Sequence, residues 1–213
     1  MSSTEKQISY QTTNSYSTLN TLTNETKNAW LACHGLGYLS RYFIQYFKKL
    51  DEKYNYVVAP QAPSKYYQKT DFKHVGASWL TKEETQQETK NVLNYLDAIW
   101  EKELSQVHCN RLFLGYSQGV SVITRWIASR KIDFDKLIIH SGSIPKELKS
   151  EDFEHITGKV YLVYGTKDEY LTSERIKLET AFAEALFGEK LEIIPFEGKH
   201  IVNTELIKEI SLI

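Results

Sequence analysis

The stretch RLFLGYSQGV, residues 111–120, predicts the fold of this chain more directly than any other. Its first four residues form an apolar, β-prone run, and an apolar helix-forming segment continues from its last residue to position 129. The glycines at 115 and 119 suit a tight turn from strand to helix, because a side chain two residues either side of Ser117 would clash with neighbouring backbone. Such a turn strains the serine and raises its hydroxyl above the carboxyl end of the sheet. The stretch therefore predicts that Ser117 is a nucleophile at that edge.

Short apolar runs alternate with longer helix-period segments on both sides of this turn. The predicted strands are residues 29–33, 56–59, 111–114, 136–140, 160–164 and 191–195, and the predicted helices are residues 41–50, 83–104, 118–130, 174–187 and 204–210. Strands that alternate with helices pair in parallel and carry helices on both faces of the sheet. Nearly solid apolar runs such as VYLVY are expected where both faces are covered. We therefore predict an α/β fold with a mostly parallel sheet.

The N-terminal region, residues 1–28, predicts an antiparallel edge for the same sheet. Residues 7–13 and 16–22 alternate loosely between polar and apolar types around Asn14-Ser15, which suits a β-hairpin and brings the expected count to about eight strands. No linker or internal repeat divides the sequence, so residues 1–213 are expected to form a single domain. Only residues 141–159 separate two strands after the turn, which excludes a large cap domain.

Composition excludes several classes of partner. Lys and Arg number 26 and Asp and Glu number 27, so the net charge of −1 provides no field to hold a nucleic acid. The longest apolar runs have five residues, whereas a membrane span needs about 20, so no membrane span is expected. Residues 1–28 contain no Arg and no apolar stretch, unlike a secretory signal or transit peptide, and we expect a cytoplasmic protein. Cys33 and Cys109 are expected to be reduced.

A serine hydroxyl is a weak nucleophile at neutral pH and needs a neighbouring base, which an acid orients. Where a serine occupies such a turn, the acid and then the histidine follow it along the chain. His200 comes just after the last predicted strand, at the same carboxyl edge, and is the candidate base. His140 ends a predicted strand and comes before the candidate acid in the chain, which does not fit the order of serine, acid and histidine. It is therefore expected to support the site or to form a pocket wall. His155 lies in a charged segment and is expected to be solvated.

Asp168 is the candidate acid, because a short glycine-containing turn places it just after a predicted strand at that carboxyl edge. Such an aspartate can also be a simple turn residue. Among the other acids, Glu169 would point the opposite way on an extended loop, and Asp152 has no strand before it. Asp133 and Asp135 precede a strand and are expected at the opposite edge.

Backbone N–H groups are expected to stabilise the oxyanion of an acyl-transfer reaction. The N–H of Gln118 directly follows the nucleophile, and the glycine-rich turn 34–37 can aim the N–H of Leu36 inward. His34 in that turn precedes the nucleophile and is expected to shape the loop rather than to act as the base. The six histidines are scattered with no H-x-x-x-H pair, so neither a metal nor another cofactor is expected.

These motifs, in this order, resemble those of small α/β-hydrolase carboxylesterases of the phospholipase/carboxylesterase and acyl-protein thioesterase type. The resemblance covers residues 29–205 and rests on HGLG at 34–37, APQAP at 59–63, GASW at 76–79, GYSQG at 115–119, GTKD at 165–168 and GKH at 198–200. It implies a triad of Ser117, Asp168 and His200, with Leu36 and Gln118 as the oxyanion hole. Lys199 replaces the second glycine usual before the histidine, and the proline and valine usual after the acid are missing. These departures leave the substrate preference open.

The expected function is that of a serine carboxylesterase or thioesterase that hydrolyses short acyl esters or thioesters through an acyl-enzyme. The long connection 61–78, with its Tyr and Phe residues, is the candidate pocket wall. Further apolar pocket surface is expected from Leu39, Trp79, Tyr170 and Leu171. Two alternatives share the fold, namely a protein that mainly binds a small molecule or lipid, and a peptidase.

Overall fold

The computed structural model describes residues 3–213, which contain a main sheet, a separate hairpin and five α-helices. The strands are β1 Tyr16–Leu19, β2 Asn28–Cys33, β3 Asn55–Pro60, β4 Ser64–Tyr67, β5 Val75–Ser78, β6 Asn110–Tyr116, β7 Lys136–His140, β8 Lys159–Gly165 and β9 Leu191–Phe196. The α-helices are α1 Ser40–Phe43, α2 Thr85–Glu103, α3 Gln118–Arg130, α4 Ser173–Phe187 and α5 Thr204–Leu212. Short 3-10 helices cover Ile44–Phe47, Ser150–Phe153 and Gly188–Lys190. The first predicted helix, 41–50, is therefore the short α1 followed by a 3-10 turn.

The main sheet has seven strands in the order β1-β3-β2-β6-β7-β8-β9. Within the described residues, β1 alone runs antiparallel to its neighbour, and every other pair in this sheet is parallel. The prediction of a mostly parallel sheet with an antiparallel N-terminal edge is confirmed. Strand β6 lies between β2 and β7, so the turn that follows it emerges in the middle of the carboxyl edge, where α/β folds place their ligands.

The prediction of an N-terminal hairpin and of eight strands in the sheet is wrong. Residues 7–13 form no strand and are exposed, because they carry too little apolar surface to pack onto the sheet. Strand β1 pairs instead with β3, from Tyr16 opposite Pro60 to Leu19 opposite Val57. The Tyr16 hydroxyl also donates to Glu103 at the end of α2, which fixes this edge strand to the body of the protein.

Strands β4 and β5 form a two-stranded hairpin where the sequence predicts a long connection, 61–78. This hairpin packs on the glycine-rich turn after β2. The Gly37 N–H donates to Ala77 O at 2.8 Å, and the Gln68 side chain donates to Gly37 O at 2.6 Å. A Cβ added at Gly76 would lie 2.7 Å from Gly37 O, so the two backbones meet too closely for a side chain. The hairpin therefore holds the turn 34–37 in place.

Alternate strand residues enter two cores, one on each face of the sheet. In β2, Leu31 and Cys33 join the core beneath α2, α3 and α4, whereas Trp30 and Ala32 join the core beneath α1 and α5. The prediction of helices on both faces is therefore confirmed. Residues 141–158 connect β7 to β8 with a single 3-10 turn, so the absence of a large cap domain is confirmed as well. None of the helices in residues 3–213 is long and apolar enough to cross a membrane.

Candidate active site

Ser117 occupies the turn between β6 and α3 in a conformation that few L-residues adopt, with φ 53° and ψ −116°. Its N–H donates to His140 O at 2.9 Å, which ties the turn to the end of β7. A Cβ added at Gly119 would lie 2.1 Å from Cys33 O, and one added at Gly115 would lie 2.6 Å from the Val120 Cα. The close approach of backbone explains both glycines, as the sequence predicts.

The structure places the predicted base and acid in one hydrogen-bonded chain with Ser117. The Ser117 Oγ lies 3.0 Å from His200 Nε2, and His200 Nδ1 lies 2.7 Å from Asp168 Oδ2. A carboxylate only accepts hydrogen bonds, so Nδ1 carries the proton and Nε2 is free to accept from the serine. The Asp168 side chain is fully buried, and its Oδ1 accepts from the N–H groups of Tyr170 and Leu171. This arrangement can move a proton from Ser117 to His200.

Neighbouring groups fix the His200 ring and its backbone. The Tyr116 hydroxyl donates to His200 O at 3.0 Å, and the Tyr170 ring packs edge-on at 4.8 Å from the imidazole. His140 is fully buried and its Nε2 accepts from the Asn203 N–H at 3.0 Å, so it holds the chain just beyond the base. Burial and, to a lesser extent, the nearby His200 lower the pKa of His140 to about 3. His140 therefore supports the site as a neutral ring and does not form a pocket wall.

Two backbone N–H groups beside Ser117 are free to bind a ligand. Within residues 3–213, neither the Leu36 N–H nor the Gln118 N–H donates to a protein acceptor. A Cβ added at Gly35 would lie 3.1 Å from the Ser117 Cβ, so the peptide that carries the Leu36 N–H adjoins Ser117. The Gln118 N–H is the first of α3, where the helix dipole favours negative charge. The site can thus stabilise an anion that forms next to Ser117.

The side chain of Gln118 has a role that sequence reasoning missed. Its Oε1 accepts from the Trp79 N–H at 2.9 Å, and its Nε2 donates to Leu80 O at 2.7 Å. These bonds fix the chain after β5 against the start of α3. The only signal in the sequence was the amide itself, next to the nucleophile, and its partners lie about 40 residues away along the chain.

The structure corrects two of the four predicted pocket residues, Trp79 and Leu39. Trp79 is fully buried in the core and donates its indole N–H to His34 O at 2.7 Å. Leu39 is also buried in that core, and Leu171 is buried with its N–H on Asp168. Trp79 and Leu39 fill space between strands and helices, so they do not line a pocket. Leu171 borders a small cavity together with Ser141 and Gly142, and its role in the pocket stays a prediction. Tyr170 is 63% exposed beside His200, and its role in the pocket stays a prediction.

Three of the four competing acids, Asp133, Asp135 and Asp152, hydrogen-bond to groups outside the Ser117 site. Asp135 accepts from the Arg111 N–H at the start of β6, which is the opposite edge of the sheet, as predicted. Asp133 accepts from Thr157, and Asp152 accepts from the Lys149 N–H in a 3-10 turn. Glu169 follows the acid, and no hydrogen bond of its side chain is found among residues 3–213.

Two further expectations concern histidines and metals. His155 is not simply solvated, because it is half-buried and its Nε2 donates to Ile132 O at 3.1 Å. His34 does shape its loop, as described below. Among the described residues 3–213, no group of three or more His, Cys, Asp or Glu could hold a metal ion.

A groove of about 430 Å³ lies between α2, α3 and the segment before the second 3-10 helix. It is lined by Thr85, Gln86, Thr89, Leu93, Arg125, Ala128, Ser129, Glu147, Leu148 and Asp152. None of these residues belongs to the Ser117 site.

Comparison with solved structures supports the fold. Acyl-protein thioesterase 2 of Zea mays superposes with a TM-score of 0.70 at 13% identity, covering 94% of this chain and 97% of that chain. A phospholipase/carboxylesterase of Dyadobacter fermentans gives 0.68 at 17% identity, covering 96% and 99%. Esterase PE8 gives 0.69 at 19% identity, covering 94% and 99%. At these identities the likeness establishes the α/β-hydrolase fold alone.

Sequence comparison establishes the family. Among curated proteins, none is significantly similar to this chain. The family model described as phospholipase/carboxylesterase matches residues 15–211, which includes Ser117, Asp168 and His200. The chain thus belongs to the phospholipase/carboxylesterase family of α/β-hydrolases and is an ester hydrolase by membership.

Proposed function

We propose that this protein is a serine esterase or thioesterase that hydrolyses short acyl esters or thioesters through an acyl-enzyme. The observation that carries the proposal is the hydrogen-bonded chain from Ser117 Oγ through His200 to Asp168, with contacts of 3.0 and 2.7 Å. In this proposal Ser117 is the nucleophile, His200 is the general base and Asp168 orients the imidazole.

The reaction proceeds in two halves. Ser117 Oγ attacks the carbonyl carbon of the substrate while its proton passes to His200 Nε2. The tetrahedral intermediate collapses, the bond from carbon to the leaving oxygen or sulfur breaks, and the leaving group takes the proton from His200. A water then attacks the acyl carbon, gives a proton to His200, and the carboxylic acid leaves as Ser117 regains that proton. The buried Asp168 carboxylate stabilises the imidazolium that exists between the steps.

The N–H groups of Leu36 and Gln118 stabilise the oxyanion of each tetrahedral intermediate. This role is supported by the lack of a protein acceptor for either group in residues 3–213 and by the approach of Gly35 to Ser117. Such donors are worth about 10²- to 10³-fold in kcat each, because the charge that they meet develops only during the reaction. The Ser117 backbone is strained, with φ 53°, and its Oγ lies 3.0 Å from His200 Nε2.

A short acyl group is favoured by the packing around the site. Trp79 and Leu39 lie in the core, so they do not supply the apolar pocket surface that the sequence predicts from them. Tyr170 and Ile201, which lie next to Asp168 and His200 along the chain, are exposed, and so is Leu36, which carries one of the proposed oxyanion donors. A short chain can contact this shallow surface, whereas most of a long chain would remain in water.

Labelling with a fluorophosphonate tests the proposal, because the reagent modifies a serine only where a base and an oxyanion hole activate it. Peptide mapping is expected to find the label on Ser117 alone. Ser117→Ala is the matched control and is expected to lose the label and to reduce the turnover of 4-nitrophenyl acetate by about 10⁴-fold or more. Circular dichroism and thermal unfolding verify that the variant is folded.

The choice of substrate separates the proposal from the alternatives. We expect 4-nitrophenyl acetate and an acetyl thioester to be turned over faster than the corresponding palmitoyl compounds, and a peptide amide not to be cleaved. A wild-type protein that binds esters but neither reacts with the fluorophosphonate nor turns over any ester would contradict the proposal and favour a binding protein. Faster cleavage of the amide than of the ester would favour a peptidase.

A further inference from the structure

His34 is a fully buried, polar residue that the proposed reaction does not use. It follows β2 directly and lies next to the turn that carries the Leu36 N–H. The Trp79 indole packs against it with ring centroids 5.1 Å apart, and the same indole donates its N–H to His34 O. The imidazole is therefore held from both its ring face and its backbone.

Both ring nitrogens of His34 are hydrogen-bonded to backbone, and this fixes the tautomer. The Ala62 N–H lies 3.1 Å from Nε2, so Nε2 accepts. The Gly35 carbonyl oxygen lies 2.8 Å from Nδ1, so Nδ1 carries the proton and donates. Burial lowers the pKa of His34 to about 4, which keeps the ring neutral near pH 7 and preserves this single arrangement.

The carbonyl that accepts from His34 belongs to the same peptide group as the Leu36 N–H. The His34 bond at Gly35 O fixes one end of that peptide and increases its polarisation, and the Leu36 N–H at the other end has no protein acceptor within residues 3–213. The Tyr38 N–H also reaches Gly35 O, at the longer distance of 3.3 Å. Three groups therefore act in series, namely the Ala62 N–H, the imidazole and the Gly35–Leu36 peptide.

We propose that His34 is a positioning residue for the oxyanion hole, which aligns and polarises the Gly35–Leu36 peptide so that its N–H binds the oxyanion more strongly. The inference rests on the proposed serine mechanism and adds to it a residue that never touches the substrate. His34 then contributes to the stabilisation of the transition state and hardly affects binding of the ground state. The expected signature is a change in kcat with little change in KM.

A pair of substitutions separates the two bonds of the ring. His34→Asn retains an amide donor close to the position of Nδ1 but loses the acceptor for the Ala62 N–H. His34→Gln places its amide close to the position of Nε2 and loses the donor to Gly35 O. Each variant loses one buried hydrogen bond, so both are expected to be destabilised to a similar extent. They are therefore matched controls for each other.

We expect His34→Gln to have a kcat about tenfold or more below that of His34→Asn on 4-nitrophenyl acetate, with similar KM values, because small misalignments of a catalytic group are costly. The inhibition constant of a trifluoromethyl ketone, which forms a hemiketal oxyanion on Ser117, should weaken by a similar factor in His34→Gln. Equal kcat values in the two variants, a lower kcat in His34→Asn, or unchanged ketone affinity would overturn the inference.

Nuclear magnetic resonance of the wild-type protein tests the inference even if neither variant folds. The His34 ring is expected to show a proton on Nδ1 and none on Nε2. When the ketone binds, the Leu36 amide proton and the His34 Nδ1 proton should both move downfield, since they are the two ends of one peptide-linked chain. A proton on Nε2, or a Leu36 amide proton that does not move on binding, would contradict the inference.

The same reagents distinguish failure of the inference from failure of the proposed function. If the wild-type protein forms no adduct with either the fluorophosphonate or the ketone, the serine mechanism itself is wrong. If both adducts form on Ser117 while the two His34 variants behave alike, only the role of His34 is wrong.

Discussion

The two edges of the main sheet both carry buried polar groups, but they use them differently. At the amino edge, three asparagine side chains on neighbouring strands form a hydrogen-bonded chain, in which Asn110 donates to Asn28 and Asn28 donates to Asn55. The Trp30 indole N–H donates to the side-chain Oδ1 of the same Asn55. The Asn28 amide also donates to Ser211 O in α5. Each of these four side chains has a protein partner, so this network holds the neighbouring strands in register.

The carboxyl edge holds strain and open hydrogen-bonding capacity instead. Ser117 and Ser141, which follow adjacent strands, have φ of 53° and 48°. Within residues 3–213, the Leu36 and Gln118 N–H groups donate to no protein acceptor. The comparison teaches that a buried polar group alone does not mark a functional site. A functional site is marked where most polar groups are hydrogen-bonded to one another, while a few residues are held in a strained conformation or carry N–H donors without a protein acceptor.

The largest effect is expected from substitution of Asp168, the proposed acid at the carboxyl edge. Asp168→Asn should lower kcat by about 10⁴-fold, because an amide can donate to His200 Nδ1 and thereby stabilise the wrong tautomer. The fold should persist, since the amide oxygen can still accept from the Tyr170 N–H. Steady-state kinetics and thermal unfolding measure the two quantities. Asp135→Asn, at the opposite edge, is the matched control, and a similar loss of kcat in that variant would contradict the assignment of the acid.

A substitution at the amino edge is expected to have the opposite profile. Asn55→Ala removes the partner of Asn28 and of Trp30 and should lower the free energy of unfolding by about 3 kcal/mol, because buried donors lose their acceptor. Its kcat/KM should match that of the wild type below the unfolding transition. Asn110→Ala, at the exposed end of the same network, should cost only about 1 kcal/mol. Urea titration and ester turnover test this, and a loss of kcat in folded Asn55→Ala would mean that the two edges are coupled.

A smaller effect is expected in the pH dependence of stability. Burial lowers the pKa of His34 to about 4 and that of His140 to about 3, whereas a histidine in the unfolded chain has a pKa of about 6.5. Between pH of about 6.5 and 4 the unfolded chain therefore binds protons that the folded protein does not, so stability falls as the pH falls. Each histidine contributes a slope of about 1.4 kcal/mol per pH unit.

Substitution of one histidine isolates its share of that slope. His140→Asn should reduce the fall in unfolding free energy between pH 6 and 4 by about 1.4 kcal/mol per unit relative to the wild type. Urea titrations at several pH values measure this difference. An unchanged slope would show that His140 is protonated to the same extent in the folded and unfolded chains.

The smallest expected effect is that of a chelator. Activity on 4-nitrophenyl acetate should not change with EDTA, because the proposed oxyanion donors are backbone N–H groups. For the control, the chelator is removed by exchange into metal-free buffer, and divalent ions are then added back. Activity that is lost with EDTA and restored by a divalent ion would favour a metallohydrolase. It would contradict the role proposed for the backbone N–H groups of Leu36 and Gln118 at the carboxyl edge.

The sequence predicts the parts of the molecule that depend on local backbone geometry. Gly115 and Gly119 flank Ser117 because the turn brings main chains together, and this requirement can be read from spacing alone. Nearly solid apolar runs predict parallel strands, whose carboxyl ends necessarily meet at one edge. The approach of His200 and Asp168 to Ser117 follows from that topology and from their positions just after β9 and β8.

The errors concern features that long-range packing decides. An aromatic residue after a strand, such as Trp79, can face a pocket or the core, and only the positions of His34 and Gln118 place it in the core. Residues 7–13 have the alternation of a strand but no partner that would cover them. The sequence does not predict the β4–β5 hairpin, because β4 is exposed throughout and the four residues of β5, VGAS, include few of the large apolar residues that signal a buried strand.

Trapping of the acyl-enzyme tests the central claim most directly. The wild-type protein is mixed with 4-nitrophenyl acetate, quenched in acid within milliseconds to seconds, and analysed by intact mass and peptide mapping. The account predicts a burst of nitrophenol stoichiometric with the protein, and one acetyl group located on Ser117. Ser117→Ala should show neither the burst nor the adduct. An acetyl group on another residue, or turnover in Ser117→Ala equal to that of the wild type, would contradict the account.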